Sequence, residues 1–333
     1  MAMRRDEFDN GPGEVDKSAQ GLPVSHRLPD NTPFHVVLNT GSGHLETDQR
    51  VETIRSVLNA SGRRHELTQV QDPRDLGKAA GQAIEWAQRH QGAVVVAGGD
   101  GSINTLAQQV LPTGLPFGVL PQGTFNYFAR ANGIPTDTED ATRALLTAHV
   151  RPVQVGMVND RVFLVNGSMG LYPQVLEDRE AFKHRFGRTR PVALMAALFT
   201  LLSQHRDWVI KVEIDGQIKT MVTPTLFVGN NALQLEQIGI PEAPMVQADR
   251  LVALVVKPQS RLAMLGLLLR GALGQLGEAE QVTSVAFNRL TIEPRLPHKP
   301  RKIKVATDGE IAWLTTPLTF RPAPQHLQLL VPG

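Results

Sequence analysis

Apolar residues fall along this chain in two rhythms. From Phe34 to about residue 149, short apolar runs alternate with segments of helical spacing. Phe34–Leu38, His65–Thr68, Val94–Ala97 and Pro116–Leu120 read as strands. Between them, Val51, Ile54, Val57 and Leu58 recur at the three-and-four spacing of an amphipathic helix, and Leu76–His90 and Asn104–Leu111 read likewise as helices. Strand and helix in turn predict a three-layer α/β domain with a parallel sheet over residues 33–149.

After Val150 the pattern changes. Val153–Val158, Arg161–Val165, Val209–Ile214, Val222–Val228, Arg250–Val256, Leu290–Glu293 and the alternating close from Ile303 to Val331 read as strands. They predict an antiparallel β-sandwich domain over 150–333, interrupted by helical segments at 174–205 and 260–276. Residues 1–32 are polar and carry Gly11, Pro12, Gly13, Pro23 and Pro29 among charges, which predicts a disordered tail.

The chemistry sits where apolar runs stop. Val94–Ala97 ends in Gly98-Gly99-Asp100-Gly101-Ser102-Ile103-Asn104 and then a helix. Glycines let backbone approach a ligand closely, and amides at a helix start favour an anion such as phosphate. Asp100 among those amides would repel a bare phosphate, so the loop points to a nucleotide carried with Mg2+. The chain has no G-x-x-x-x-G-K-[ST] motif, and the third glycine of G-x-G-x-x-G is replaced by Asn104. Asn39-Thr40-Gly41-Ser42-Gly43 ends an earlier strand, and Gly123-Thr124-Phe125-Asn126 follows another. Loops at the carboxyl ends of neighbouring parallel strands face one crevice. Each loop alone also reads as a plain strand-to-helix turn.

Composition narrows the partners. The 333 residues are 41% hydrophobic, 20% charged and 5% aromatic, with a net charge of +2. So few aromatic residues argue against base stacking on nucleic acid. The absence of Cys excludes disulfides, a thiol nucleophile and Cys-ligated metal. No signal peptide and no membrane-spanning run are apparent, so the expected location is cytoplasmic.

Taken in order, these motifs resemble the diacylglycerol kinase catalytic-domain family, and most of all its bacterial soluble lipid kinases. Gly98–Asn104 is similar to the family's GGDGT-x-N loop. Leu120-Pro-Gln-Gly-Thr-Phe-Asn-Tyr-Phe-Ala-Arg130 resembles PLGT-x-N-x-FAR, and Asn39–Gly43 resembles NP-x-SG. Thr307-Asp308-Gly309-Glu310 resembles the closing DGE motif, and Val228-Gly-Asn-Asn231 is also typical. The resemblance spans roughly residues 34–332. It implies a kinase with ATP in the crevice between an α/β domain and a β-sandwich. Asn39, Thr40, Gly41, Ser42 and Gly43 would hold phosphates, together with Gly98, Gly99, Asp100, Gly101, Ser102, Ile103 and Asn104. Gly123, Thr124, Asn126 and Thr68 would also meet the nucleotide, and Asp100 would partner its Mg2+. Asp308 and Glu310 both stand where the family places its proton acceptor. A structural Mg2+ would fall on the Val246 and Leu251 carbonyls and the Asp249 carboxylate.

Three positions depart from the family pattern: Ser102 for Thr, Thr40 for Pro, and Arg250 where Gly often follows the metal-site Asp. A positive charge there opposes a cation. The competing readings are an NAD kinase-like phosphotransferase, a dinucleotide-binding oxidoreductase, and a non-catalytic lipid-binding protein on a kinase fold. A lipid substrate implies docking on an anionic membrane surface. Two basic and apolar segments could provide it: Arg179–Leu202, and Arg261–Arg270 followed by the basic stretch from Arg295 to Lys304.

Overall fold

A computed structural model describes residues 25–40, 44–170, 207–294 and 302–333. The chain divides into two compact units: residues Gly21–Val155 with Ala323–Gly333, and residues Gly156–Pro322.

The first unit is α/β. Its strands are β1 (His26–Arg27), β2 (Phe34–Asn39), β3 (His65–Val70), β4 (Ala93–Gly98), β5 (Phe117–Pro121) and β6 (His149–Val153). Its helices are α1 (His44–Ala60), α2 (Leu76–His90), α3 (Asp100–Val110), α4 (Tyr127–Ala131) and α5 (Thr138–Leu146). The sheet order is β1, β6, the C-terminal strand Leu327–Val331, β5, β4, β2, β3. Strands β5, β4, β2 and β3 are parallel. All six residues of β4 are buried, as a central strand covered on both faces requires. One side of the sheet packs Val36, Leu38, Val95 and Leu120 against Val51, Ile54 and Leu58 of α1 and Leu145 of α5.

Two features of this unit differ from the sequence reading. Leu327–Val331 does not lie in the sandwich. It fills a slot in the first sheet, antiparallel to β6 and parallel to β5. The expected strand Val153–Val158 breaks after Val153, and the next strand, starting at Gly156, belongs to the second unit.

Residues 25–32 also hold defined structure. His26 and Arg27 pair with Val150 and His149, and Leu28 is buried. Arg63 explains the attachment. Its guanidinium donates to the carbonyls of Pro29 (3.1 Å), Thr32 (3.2 Å) and Leu146 (2.9 Å), and lies 5.0 Å over the Phe34 ring. Residues 1–24 of the expected tail lie outside the described residues.

The second unit contains β7 (Gly156–Val158), β8 (Arg161–Phe163), β9 (Asn166–Gly170), β10 (Trp208–Ile214), β11 (Gln217–Thr223), β12 (Thr225–Gly229), α6 (Ala232–Gln237), β13 (Leu251–Val256), α7 (Arg261–Ala272), β14 (Val282–Phe287), β15 (Leu290–Pro294), β16 (Lys302–Thr307), β17 (Glu310–Thr315) and β18 (Leu318–Pro322). They form two six-stranded antiparallel sheets, ordered β11-β10-β15-β18-β7-β8 and β14-β13-β12-β9-β16-β17. Phe163, Met169, Ile210, Phe287, Val305 and Phe320 pack in the core between them. The expected strand Val222–Val228 is split at Pro224, which has no N–H to give to a ladder. Of the basic and apolar segments, residues 179–202 and 295–301 lie outside the described residues.

Arg63 yields a stability test. Arg63→Met strips three carbonyls of their donor and should cost about 3 kcal/mol, read from urea denaturation. Arg64→Met, at the exposed neighbouring position, should cost less than about 1 kcal/mol. Equal effects would show that Arg63 does not hold residues 25–32.

Candidate active site

In the first unit, β2 is followed in the sheet by β3 on one side and by β4, then β5, on the other, so chain order reverses between β2 and β4. Ligands of open α/β sheets bind at the strand carboxyl ends beside such a switch. The Asn39 side-chain amide donates to the Ser102 hydroxyl at 2.8 Å, linking the end of β2 to the first turn of α3. Thr40 is tied to β3 through its backbone N–H and its hydroxyl, both donating to the Val70 carbonyl. The hydroxyl of Ser102 therefore has a defined role, and so does Thr40 without a proline ring. Gly41, Ser42 and Gly43 lie outside the described residues.

The GGDG loop turns directly from β4 into α3. Gly99 is the N-cap and offers no side chain to the helix amides, so the first turn is open to an anion. Asp100 is the first helical residue. Ser102, Ile103 and Asn104 are buried, so Ile103 can meet a ligand only through its backbone. The β5–α4 loop lies against this turn. A Cβ added at Gly123 would come within 3.2 Å of Gly99 Cα and 2.9 Å of Asn126 Oδ1. Asn126 adopts φ 50°, accepts from the Gly123 N–H and donates to the Gly123 carbonyl, both at 2.9 Å. This clasp shapes the loop and leaves Thr124 and Phe125 exposed.

Thr68 is placed differently. It sits two residues before the end of β3, and its hydroxyl is 2.9 Å from His35 Nε2. His35 is buried and packs edge-on against Trp86 of α2. Burial lowers its pKa, against the opposing pull of Glu66. The structure thus gives the Thr68 hydroxyl a partner within the sheet.

In the second unit, Asp308 and Gly309 form the two-residue turn of the β16–β17 hairpin, with φ 49° and 88°. Two left-handed residues in succession suit the twist of a tight hairpin. The Asp308 carboxylate accepts from three consecutive backbone amides, Leu164 (2.7 Å), Val165 (2.9 Å) and Asn166 (3.0 Å). Its own N–H donates to the Asn166 carbonyl. The amide of Asn230 in turn donates to the Leu164 carbonyl at 3.0 Å. Glu310 opens β17 one residue beyond Gly309, pairs with Thr307, and is itself exposed. The protein packed around its carboxyl raises its pKa, Arg161 pulls it down, and Asp308 adds to the rise. The two carboxylates therefore sit differently: Asp308 accepts from three backbone amides, whereas burial raises the pKa of Glu310. The Leu164–Asn166 amides and Arg161 were not legible from sequence, because backbone donors carry no residue signature and Arg161 is distant in the chain.

Asp249 follows the 3-10 turn Ala243–Ala248 in a left-handed conformation, φ 56°, with Val246 buried before it and Leu251 opening β13. Arg250 donates to the Ala286 carbonyl at 2.7 Å and lies 3.5 Å from Asp215. Its charge is thus committed to acceptors on β14 and on the β10–β11 turn. Among the described residues, no group of three or more His, Asp or Glu side chains could hold a metal. The carbonyl-and-carboxylate set at 246, 249 and 251 is a different kind of site.

Comparison with known proteins agrees with this architecture. Residues 33–158 match the diacylglycerol kinase catalytic domain, and residues 170–331 match the YegS C-terminal NAD kinase beta sandwich-like domain. The chain belongs to the diacylglycerol kinase catalytic-domain family. It is 26% identical over 313 residues to an uncharacterized protein of Synechocystis sp., covering 90% of this chain and 69% of that one. It is 27% identical over 219 residues to a diacylglycerol kinase of Staphylococcus aureus, covering 64% and 67%. A crystal structure of a diacylglycerol kinase from Bacillus anthracis str. Sterne superposes with a TM-score of 0.67 at 21% identity, covering 90% of this chain and 96% of that one. That likeness establishes the fold.

Asp308→Asn tests the amide cradle. The substitution removes the charge and turns an NH2 group toward N–H donors, so it should cost about 3 kcal/mol in urea unfolding. A loss below about 1 kcal/mol would mean that the turn holds without it.

Proposed function

We propose that this protein transfers the γ-phosphate of ATP, carried with Mg2+, to the hydroxyl of a lipid such as diacylglycerol. Family membership supports the coarser statement, a phosphotransferase. The observation that carries the reading is the division of labour between Asp308 and Glu310. Asp308 anchors the turn through three amides, and Glu310, with its raised pKa, takes the proton of the attacking hydroxyl. The acceptor oxygen forms the new bond to the γ-phosphorus, ADP leaves, and Glu310 holds the released proton.

The loops at Asn39–Gly43, Gly98–Asn104 and Gly123–Asn126 are assigned to the nucleotide, and Thr68 is assigned a supporting role beside them. The close glycine backbones and the uncapped start of α3 suit an anionic phosphate chain. Mg2+ on the nucleotide neutralises phosphate charge. Asp100, the first residue of α3, is the carboxylate assigned to it. Val246, Asp249 and Leu251 remain the proposed structural Mg2+ set. The engagement of Arg250 with Ala286 and Asp215 supports this assignment, because it draws the guanidinium into other contacts. No helix among the described residues is long and apolar enough to cross a membrane. Access to a bilayer lipid is therefore assigned to reversible docking on an anionic surface.

The test is radiolabelled phosphate transfer from ATP to a total lipid extract, to diacylglycerol and to NAD. A labelled lipid is the expected product. Label in NAD alone would overturn the reading in favour of an NAD kinase-like enzyme. Asp100→Asn should lower kcat at least a hundredfold with the fold intact, because the amide lacks the charge that binds the metal. Glu310→Gln should lower kcat about a hundred- to ten-thousandfold with ATP affinity retained. In the wild type Glu310 must be deprotonated to act. Its raised pKa therefore places the acid limb of the kcat profile above the ordinary carboxylate range, with activity lost as pH falls through it. A Glu310→Gln enzyme that keeps that limb would move the proton-acceptor role elsewhere.

A further inference from the structure

The β16–β17 hairpin has two unlike faces. Its register pairs Lys302 with Thr315, Lys304 with Trp313, and Ala306 with Ile311. Strand alternation sets these six residues on one face and Ile303, Val305 and Leu314 on the other, where Val305 and Leu314 join the sandwich core. Of these six residues Lys302, Trp313 and Thr315 are exposed and Ala306 is buried, and the charged ones among the six are the two Lys, since Glu310 pairs with Thr307 on the opposite side. Trp313 is 59% exposed, although indole is a large apolar group. The Lys304 ammonium lies 5.2 Å from its ring centroid. Among the described residues β17 is the last strand of its sheet, with no further strand paired beyond it.

We propose that this face, built on Lys302, Lys304 and Trp313, docks on an anionic phospholipid bilayer. An exposed indole beside ammonium groups matches the boundary between charged headgroups and acyl chains. The ring enters the apolar edge while the cations meet lipid phosphates. Charge complementarity selects an anionic surface, since the charged side chains among these six residues, Lys302 and Lys304, are both cationic. The position also suits the chemistry. Glu310 lies three residues from Trp313 along β17, about 10 Å for an extended strand. Docking by Trp313 therefore brings the turn end of the hairpin, which carries Glu310 on its opposite face, close to the lipid hydroxyls. This inference rests on the lipid kinase reading and names the hairpin as the part of the molecule that meets the membrane.

The experiment uses the full chain with vesicles of phosphatidylglycerol and phosphatidylcholine, in which the acyl chains carry bromine to quench indole fluorescence. Wild-type protein should bind at low salt and be quenched, and pure phosphatidylcholine vesicles should do neither. Trp313→Phe should lose the quench, because Trp86 and Trp208 are partly buried within their units. Lys302→Gln and Lys304→Gln should each lower vesicle affinity about fivefold, matching about 1 kcal/mol for each cation near the surface. Both variants should turn over a dispersed short-chain diacylglycerol at the wild-type rate. Quenching that persists in Trp313→Phe, or vesicle affinity unchanged by the two Lys substitutions, overturns the proposal. Failure of the lipid kinase reading is separable. It would appear as no transfer to dispersed diacylglycerol, while the quench, which needs no turnover, still reports docking.

Discussion

The second unit is organised around one carboxylate. Asp308 gathers three successive amides from the bend between β8 and β9 and holds the β16–β17 hairpin to it. Such charge-assisted bonds are strong because the acceptor is ionised and the donors are fixed in the backbone. The turn needs a residue that tolerates a left-handed conformation, and Asp does so more readily than most. Geometry and charge are thus met by the same side chain. Glu310 is positioned as a consequence. It follows the turn by one residue, and the amides bond its neighbour, while burial raises its own pKa.

In the first unit the governing constraint is the parallel sheet. Four strands running one way deliver their following loops to a common edge, and the reversal of chain order between β2 and β4 opens a place for a ligand there. The Asn39–Ser102 hydrogen bond and the near contact of Gly99 with Gly123 are local consequences. They join three loops that are far apart in the chain. Small residues matter here because backbone meets backbone, and a single Cβ at Gly123 would open the Asn126 clasp.

The departures from the family pattern have local explanations. Ser102 retains the hydroxyl that Asn39 uses. Thr40 replaces the rigidity of proline with two bonds to the Val70 carbonyl. Arg250 places a positive charge beside Asp249, yet its guanidinium reaches Ala286 and Asp215.

Much of this was legible without coordinates, because local rules carry it. Buried β-branched runs ending in glycine marked the strands and the loops at their ends. The alternation with helices determined the α/β class, and Asp308-Gly309 between two apolar stretches marked a hairpin. What the chain alone could not decide were the long-range pairings. Leu327–Val331 alternates like any sandwich strand, and its insertion between β5 and β6 depends on a slot that exists only after the first sheet forms. Residues 25–32 look like a tail by composition, and become ordered because Arg63 ties two of their carbonyls, at Pro29 and Thr32, to the Leu146 carbonyl. Asp308 and Glu310 were equivalent carboxylates in the sequence. They were separated only by which one met the amides of Leu164, Val165 and Asn166, and backbone donors leave no mark in a sequence.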